Sequence, residues 1–281
     1  MKTKIGLVLS GGYANGAYEH GILKYIEDNG NNLEIEYIIA TSIGALNAAA
    51  FLSNKLGVAG EYWAGLDFTG FKSFYRKIIR GRYYETVIQD ILDTKMISQS
   101  ATKLYITATS YPSLELKYFK LNSKGDEYIR NVIQAAISVP KLMKEVTING
   151  KRYMDGGIRD NIPIGLLRSM KTDTPAYVIH FDPMSIKSRI KHELIGNRIH
   201  EIQFVDEKSK YLNGIFDFSG ENISKLYKQG YSDASKVFGK HKNKNIDIRR
   251  DTEFRFKYLR NAFFIVGRMN TAMEKLRREW S

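Results

Sequence analysis

The first fifty residues set the strongest constraint on how this chain can fold. Ile5-Gly6-Leu7-Val8-Leu9 is a short apolar run, the pattern of a strand covered on both faces. A glycine-rich loop follows at once, Ser10-Gly11-Gly12-Tyr13-Ala14-Asn15-Gly16. Tyr18, Ile22, Tyr25 and Ile26 then recur at helical spacing, and Asn29-Gly30 marks the end of that helix. Ile35–Ala40 reads as a second strand, closed by Thr41-Ser42-Ile43-Gly44, and Ala45–Leu52 is helical again. Strand, helix, strand, helix in this rhythm makes the strands parallel with helical crossovers. The chain is therefore expected to be an α/β protein on a mainly parallel sheet.

Further along, residues 57–100 read as mostly helical and rich in Tyr and Phe. Leu104–Thr109 and Leu114–Leu121 alternate like strands, with a turn near Tyr111-Pro112-Ser113. Ile129, Val132, Ile133, Ala136 and Ile137 form one apolar helical stripe, which must stop before Pro140. Asn149-Gly150 is a hairpin turn leading into Tyr153-Met154-Asp155-Gly156-Gly157, and Ala176–Phe181 is one more apolar strand. After Pro183 the character becomes helical and basic. This divides the chain into residues 1–182, carrying the α/β pattern, and a mainly helical region, 183–281.

A chain of 281 residues can bury a large core. It has no cysteine, which excludes disulfides, thiolate metal sites and cysteine nucleophiles. No run approaches the ~18–20 apolar residues of a membrane-spanning helix. Lys2 and Lys4 precede an apolar run shorter than a signal peptide needs. The expectation is a cytoplasmic protein, able to reach a membrane from its periphery. The formal charge of +13 calls for a polyanion, either nucleic acid or an anionic membrane. Residues 240–281 hold 12 Lys and Arg against 5 Asp and Glu. There Leu259, Phe263, Val266, Met273, Leu276 and Trp280 share helical spacing, with Arg255, Lys257, Arg260, Arg268, Lys275, Arg277 and Arg278 between them. Such a helix either docks its apolar stripe on the main domain or lies on anionic lipid. No aromatic-and-basic motif supports nucleic acid, so none is expected as a partner. No His/Asp/Glu spacing suits a metal, and no cofactor is inferred.

Three elements can carry chemistry. Ala40-Thr41-Ser42-Ile43-Gly44 resembles the G-x-S-x-G elbow, in which a tight strand-to-helix turn exposes a serine hydroxyl. A serine opening a helix is more often an N-cap, so the pentapeptide alone leaves both readings open. The loop at 10–16 fits a P-loop or a dinucleotide fingerprint only in part: Ala17-Tyr18 stand where the lysine belongs, and Tyr13 where the middle glycine belongs. An oxyanion hole asks only for two or so backbone N–H groups. Asp155, at a strand end before two glycines, is either a turn aspartate or a base brought to another loop. A Ser-His-Asp triad would draw on His20, His180, His192, His200 or His241, none of which lies in a block that places it near Ser42.

In order and context these blocks resemble the patatin-like phospholipase family. Ser10–Gly16 is similar to its S-G-G-G-x-[RK]-G loop, and Ala40–Ala48 to its nucleophile block. Ala135-Ala136-Ile137-Ser138-Val139-Pro140 resembles its A-A-S-x-x-P segment. Asp155-Gly156-Gly157 with Asn161 and Pro163 matches D-G-G-x-x-x-N-x-P. The resemblance implies a three-layer α/β/α fold and a Ser-Asp dyad hydrolysing lipid esters. Ser42 would be the nucleophile and Asp155 the proton acceptor. N–H groups of Gly11, Gly12 and Tyr13 would hold the oxyanion, supported by Gly16, Gly44, Gly156, Gly157 and Asn161. It also implies a lipid ester substrate and makes an anionic membrane, met through the basic C-terminal region, the fitting partner. Tyr13 replaces the third glycine, Asn15 the usual cation, and Ala40 the first elbow glycine. These departures keep a second reading alive, a weakened enzyme serving as a membrane- or protein-binding module.

Overall fold

The computed structural model describes residues 2–170, 172–181, 199–204 and 212–239. β1 (Thr3–Leu9) leads through a 3-10 turn into α1 (Gly16–Asn29), and β2 (Leu33–Ala40) into α2 (Ile43–Leu52). Next come α3 (Leu56–Ala64), β3 (Phe68–Thr69), α4 (Gly70–Phe74), a π-helical turn (Tyr75–Arg80), α5 (Tyr83–Ile91) and α6 (Thr94–Gln99). β4 (Lys103–Tyr111), β5 (Leu116–Lys120), α7 (Asp126–Ala136), β6 (Val146–Ile148) and β7 (Lys151–Asp155) follow. The described remainder holds β8 (Ala176–His180), β9 (Ile199–Gln203), α8 (Leu212–Ile215), β10 (Asp217–Phe218) and α9 (Gly220–Phe238).

Strand pairing runs β6-β7-β4-β2-β1-β8-β9, with β5 also on β4. β4, β2, β1, β8 and β9 are mutually parallel, as the strand–helix alternation requires, and β5, β6 and β7 are antiparallel additions. Ile5, Leu7, Val8 and Leu9 of β1 are buried, the expected state of a central parallel strand. Asn149 and Gly150 both have positive φ, +48° and +76°, and close the β6–β7 hairpin.

The register along β4 decides where the chemistry falls. Tyr105 and Ile106 pair with β2 and also with β5, so those two strands flank β4 on opposite edges. Ala108 and Thr109 pair with β5 and also with β7. β2 and β7 therefore share one edge of β4 and meet end to end. Ala40 lies opposite Ile106 and Asp155 opposite Ala108, with only Thr107 between.

Helices flank the mostly parallel sheet, in agreement with the expected fold class. The main core lies between one sheet face and α1, α2, α3, α5, α7 and α9. The other face carries a smaller cluster, in which Val8, Ile39 and Val178 meet Ile162 and Leu167. The region after Pro183 supplies the expected long helix, α9, and two strands that periodicity did not reveal. β9 extends the sheet beside β8, and β10 pairs with β3.

α9 lies along α1. Its Ile223, Leu226, Ala234, Val237 and Phe238 are buried, and Tyr18 donates a 3.0 Å hydrogen bond to buried Asp233. The two helices approach so closely at Gly230 that an added methyl would overlap the Tyr18 carbonyl. Gly230→Ala is therefore expected to cost about 2–3 kcal/mol of stability by overpacking. Gly57 of α3 has open space around its α-carbon. Gly57→Ala should instead stabilise by roughly 0.5 kcal/mol, through reduced unfolded-state entropy. Urea midpoints at unchanged slope measure both, and equal midpoints for the two variants would contradict the close α1–α9 crossing.

Candidate active site

Ser42 stands between β2 and α2 with φ 53° and ψ −126°. This sparsely populated conformation costs of order 1–3 kcal/mol and is typical of a nucleophile elbow. The hydroxyl makes no capping bond to α2, which removes the N-cap reading. It donates instead to Asp155 Oδ2 at 2.6 Å. The turn is held down at Gly44, where a methyl would lie 2.9 Å from Leu9 Cβ and 3.0 Å from the Leu9 carbonyl. The N-terminus of α2 thus sits directly on the end of β1, and only glycine fits there.

Asp155 ends β7. Its Oδ1 accepts the Gly157 N–H at 2.7 Å, and its own N–H donates to the Ser138 carbonyl at 3.0 Å. Burial pushes its carboxyl up to about 6, against the opposing pull of the Ser42 hydroxyl and the Gly157 amide. The Ala135–Pro140 segment thereby gains a role: it anchors the strand that carries the aspartate. Gly156 follows in a 3-10 turn packed on Thr107, whose hydroxyl meets that of Thr41 at 2.6 Å.

In the glycine-rich loop, Asn161 and Gly11 exchange two hydrogen bonds. The Gly11 N–H donates to the Asn161 carbonyl at 3.2 Å, and Asn161 Nδ2 donates to the Gly11 carbonyl at 3.0 Å. The Gly12 N–H has no acceptor among the described residues. Tyr13 does occupy the left-handed region, at φ 51°. Its ring packs on Phe216 at 4.7 Å and edge-on to Phe74 at 5.6 Å. Burial, and next the Asp155 charge, hold its phenol well above the ordinary value, so the hydroxyl stays protonated. Asn15, standing in place of a cation, is buried. Gly16 opens α1 against Ile43 and Trp63.

Behind the loop is a buried polar network that the sequence reading missed. Glu19 of α1 accepts the Ser10 N–H at 2.8 Å and Asn47 Nδ2 at 3.2 Å. The same Asn47 amide donates to the Gly16 carbonyl at 2.9 Å. Burial raises the Glu19 carboxyl well above its usual range. The signal was present: Glu19 lies three and seven residues before Ile22 and Ile26, on the apolar stripe of α1, where an acid needs a structural reason.

The histidines lie elsewhere. Buried His20 faces Tyr227, His180 lies 3.7 Å from Glu201, and His200 stacks on Tyr177. His192 and His241 fall outside the described residues, as does the basic stretch 240–281. Among the described residues no group of three or more His, Asp and Glu could hold a metal. Nor is any helix there long and apolar enough to cross a membrane.

Ser42 opens onto an apolar pocket of about 130 Å³. Tyr13, Leu46, Trp63, Phe74, Ile79 and Val139 are among its walls. A serine hydroxyl paired with a desolvated carboxylate, beside an unengaged amide and an apolar slot, suits attack on a carbonyl bearing a greasy chain.

A sequence model of the patatin-like phospholipase family matches residues 7–168. A patatin-like phospholipase domain-containing protein of Caenorhabditis elegans is 25% identical over 176 residues, 59% of this chain and 13% of its own length. Lysophospholipase NTE1 of Yarrowia lipolytica is 25% identical over 193 residues, 65% of this chain and 13% of its own. The chain thus spans only a small part of either relative. Among solved structures, VipD from Legionella pneumophila is similar with a TM-score of 0.46 at 14% identity, over 84% of this chain and 67% of that one.

The burial of Asp155 has a cost that can be measured. A carboxyl raised from 3.8 to about 6 favours the folded state most at low pH, and that advantage is lost as pH rises through 6. Two units correspond to about 3 kcal/mol. Asp155→Asn should therefore gain on wild type between pH 4 and 7, reaching about 2–3 kcal/mol at pH 7–8. Thermal melts across that range test it; a wild type–variant gap independent of pH would contradict the assignment.

Proposed function

The chain belongs to the patatin-like phospholipase family, and on that footing we propose that it is a serine hydrolase of lipid carboxylic esters working through a Ser42–Asp155 dyad. The reading is carried by the 2.6 Å bond from Ser42 Oγ to Asp155 Oδ2. Ser42 Oγ attacks the ester carbonyl carbon while its proton passes to Asp155. The electron pair of the carbonyl moves to its oxygen, which the N–H groups of Gly12 and Tyr13 hold. Gly11, tied to Asn161, shapes the loop that presents them. Collapse of the tetrahedral species breaks the bond to the alcohol oxygen, which takes the proton from Asp155 and leaves. Water then attacks the acyl-enzyme carbonyl, giving its proton to Asp155; the bond to Ser42 Oγ breaks, Ser42 takes that proton back, and the acid leaves. The apolar pocket suits the acyl chain, and membership of the family points to a phospholipid or another glycerolipid ester as the substrate.

A second reading, a weakened site serving as a binding module, draws on two observations. The Gly11 N–H is already engaged, and Tyr13 stands at φ 51° where glycine would be unstrained.

Two experiments separate these readings. A fluorophosphonate probe should label wild type at Ser42 and leave Ser42→Ala unlabelled; a folded wild type that never labels favours the binding module. Ser42→Ala and Asp155→Asn should each lower hydrolysis of a short-chain ester by at least about 10³-fold. kcat/KM should rise with pH through about 6 and level off above, because protonated Asp155 cannot accept the serine proton.

A further inference from the structure

Residues 1–239 carry 31 Lys and Arg against 25 Asp and Glu, and nearly all of that excess lies in one stretch. Gly70–Tyr84 holds Lys72, Arg76, Lys77, Arg80 and Arg82 and no acid, while the rest of 1–239 is balanced at 26 against 25. The five cations are all exposed, on α4, the π-helical turn and the link to α5. Other residues of the same stretch, Phe74, Ile78, Ile79, Tyr83 and Tyr84, wall the pocket that contains Ser42. One short segment therefore lines the apolar slot and carries the positive charge. The loop after α7 repeats the pairing: Val139 and Met143 line the slot, and Lys141 and Lys144 are exposed.

Elsewhere the chain sets acids within one helical turn of its cations. α1 does so, with Lys24 bridged to Glu27 and Asp28, and α7 does so with Arg130 and Asp126. Gly70–Tyr84 contains no acid of its own; Arg82 pairs with Glu85 just beyond it, and Lys77 donates to the Asp67 carbonyl and lies over the Phe68 ring. Half-buried Tyr75, Tyr83 and Tyr84 lie among these charges, rings of the kind that sit at a headgroup boundary. Cations beside an opening lined by apolar side chains complement an anionic bilayer, which offers negative headgroups above acyl chains. A nucleic acid would use the charge and leave the apolar slot without a purpose.

We propose that the Gly70–Tyr84 segment is the surface by which this protein docks on anionic bilayers, with the pocket turned toward the lipid. The proposed surface is separate in sequence from the basic stretch 240–281, and binding to vesicles does not require the Ser42–Asp155 chemistry. A failure of docking and a failure of the dyad are thus read separately.

The test is co-flotation of the full chain with vesicles of phosphatidylcholine alone or with about a third phosphatidylserine. Wild type should bind the anionic vesicles, bind neutral ones far less, and be released by salt. Each cation near such a surface contributes about 1 kcal/mol, about fivefold in affinity. Arg76→Gln/Lys77→Gln/Arg80→Gln should then weaken binding about a hundredfold, and the milder Lys72→Gln/Arg76→Gln about twentyfold. Thermal melts check that both remain folded. The same charge removed from the tail, as Lys275→Gln/Arg277→Gln/Arg278→Gln, should change affinity less than about threefold. Equal loss from both triple variants, loss only from the tail variant, or equal wild-type binding to neutral vesicles would overturn the proposal.

Discussion

A carboxylate at the end of a strand with little water around it is an unfavourable thing to build, and this structure is organised to keep one. The neutral form of Asp155 is favoured by burial, and two donors among the described residues, the Ser42 hydroxyl and the Gly157 amide, oppose that trend. Two hydrogen bonds to an ionised group recover about 3–6 kcal/mol at most, comparable to what desolvation takes. The pair is therefore stable only if its geometry is imposed from outside. That imposition is what the surrounding β-sheet and loops supply.

The sheet does so by placing two strand ends head to head on one edge of β4. β2 runs toward the meeting point and β7 runs back to it, with Thr107 filling the single unpaired position between them. Ser42 and Asp155 are 113 residues apart in sequence, yet each is only two or fewer residues from a hydrogen-bonded strand. The loop opposite them is fixed from two sides. Asn161 grips Gly11 through both backbone groups, and Glu19 grips Ser10 from beneath while sharing Asn47 with Gly16. α2 thus holds its own N-terminal serine and, through Asn47, the loop that faces it. Rigid support of this kind is what a site with fixed donors requires, because donors that must reorganise lose much of their electrostatic advantage.

Much of this was legible because the informative residues are local. Alternating apolar runs and glycine punctuation mark β1, α1, β2 and α2, and a serine between a strand and a helix is visible in five residues. What escaped depends on contacts distant in sequence. β9 has no clean alternation, since His200, Glu201 and Gln203 interrupt Ile199 and Ile202, and Glu201 and Gln203 are nonetheless buried. β3 and β10 are two residues each, too short for any period, and exist because Phe68 stacks on Phe218 at 5.0 Å. The engagement of Gly11 by Asn161 spans 150 residues and leaves no mark on either segment alone. The role of Ser138 is carried by its backbone carbonyl, which no side-chain pattern records.

Tyr13 shows how such distant contacts alter the meaning of a local departure. Viewed within its loop, a tyrosine at φ 51° is a defect that costs about 1–2 kcal/mol relative to glycine. Viewed within the fold, its ring is one member of an aromatic cluster with Phe71, Phe74, Phe216 and Phe218. Two ring pairs of roughly 0.5–1.5 kcal/mol each are enough to offset the backbone strain. Phe216 comes from the far end of the chain, beside the strand that pairs with β3. The substitution therefore ties the loop facing Ser42 to the C-terminal region, a link that glycine could not make. On this argument the tyrosine and the α8–β10 segment form one structural unit, and the loop keeps its shape because the C-terminal residues are docked against it.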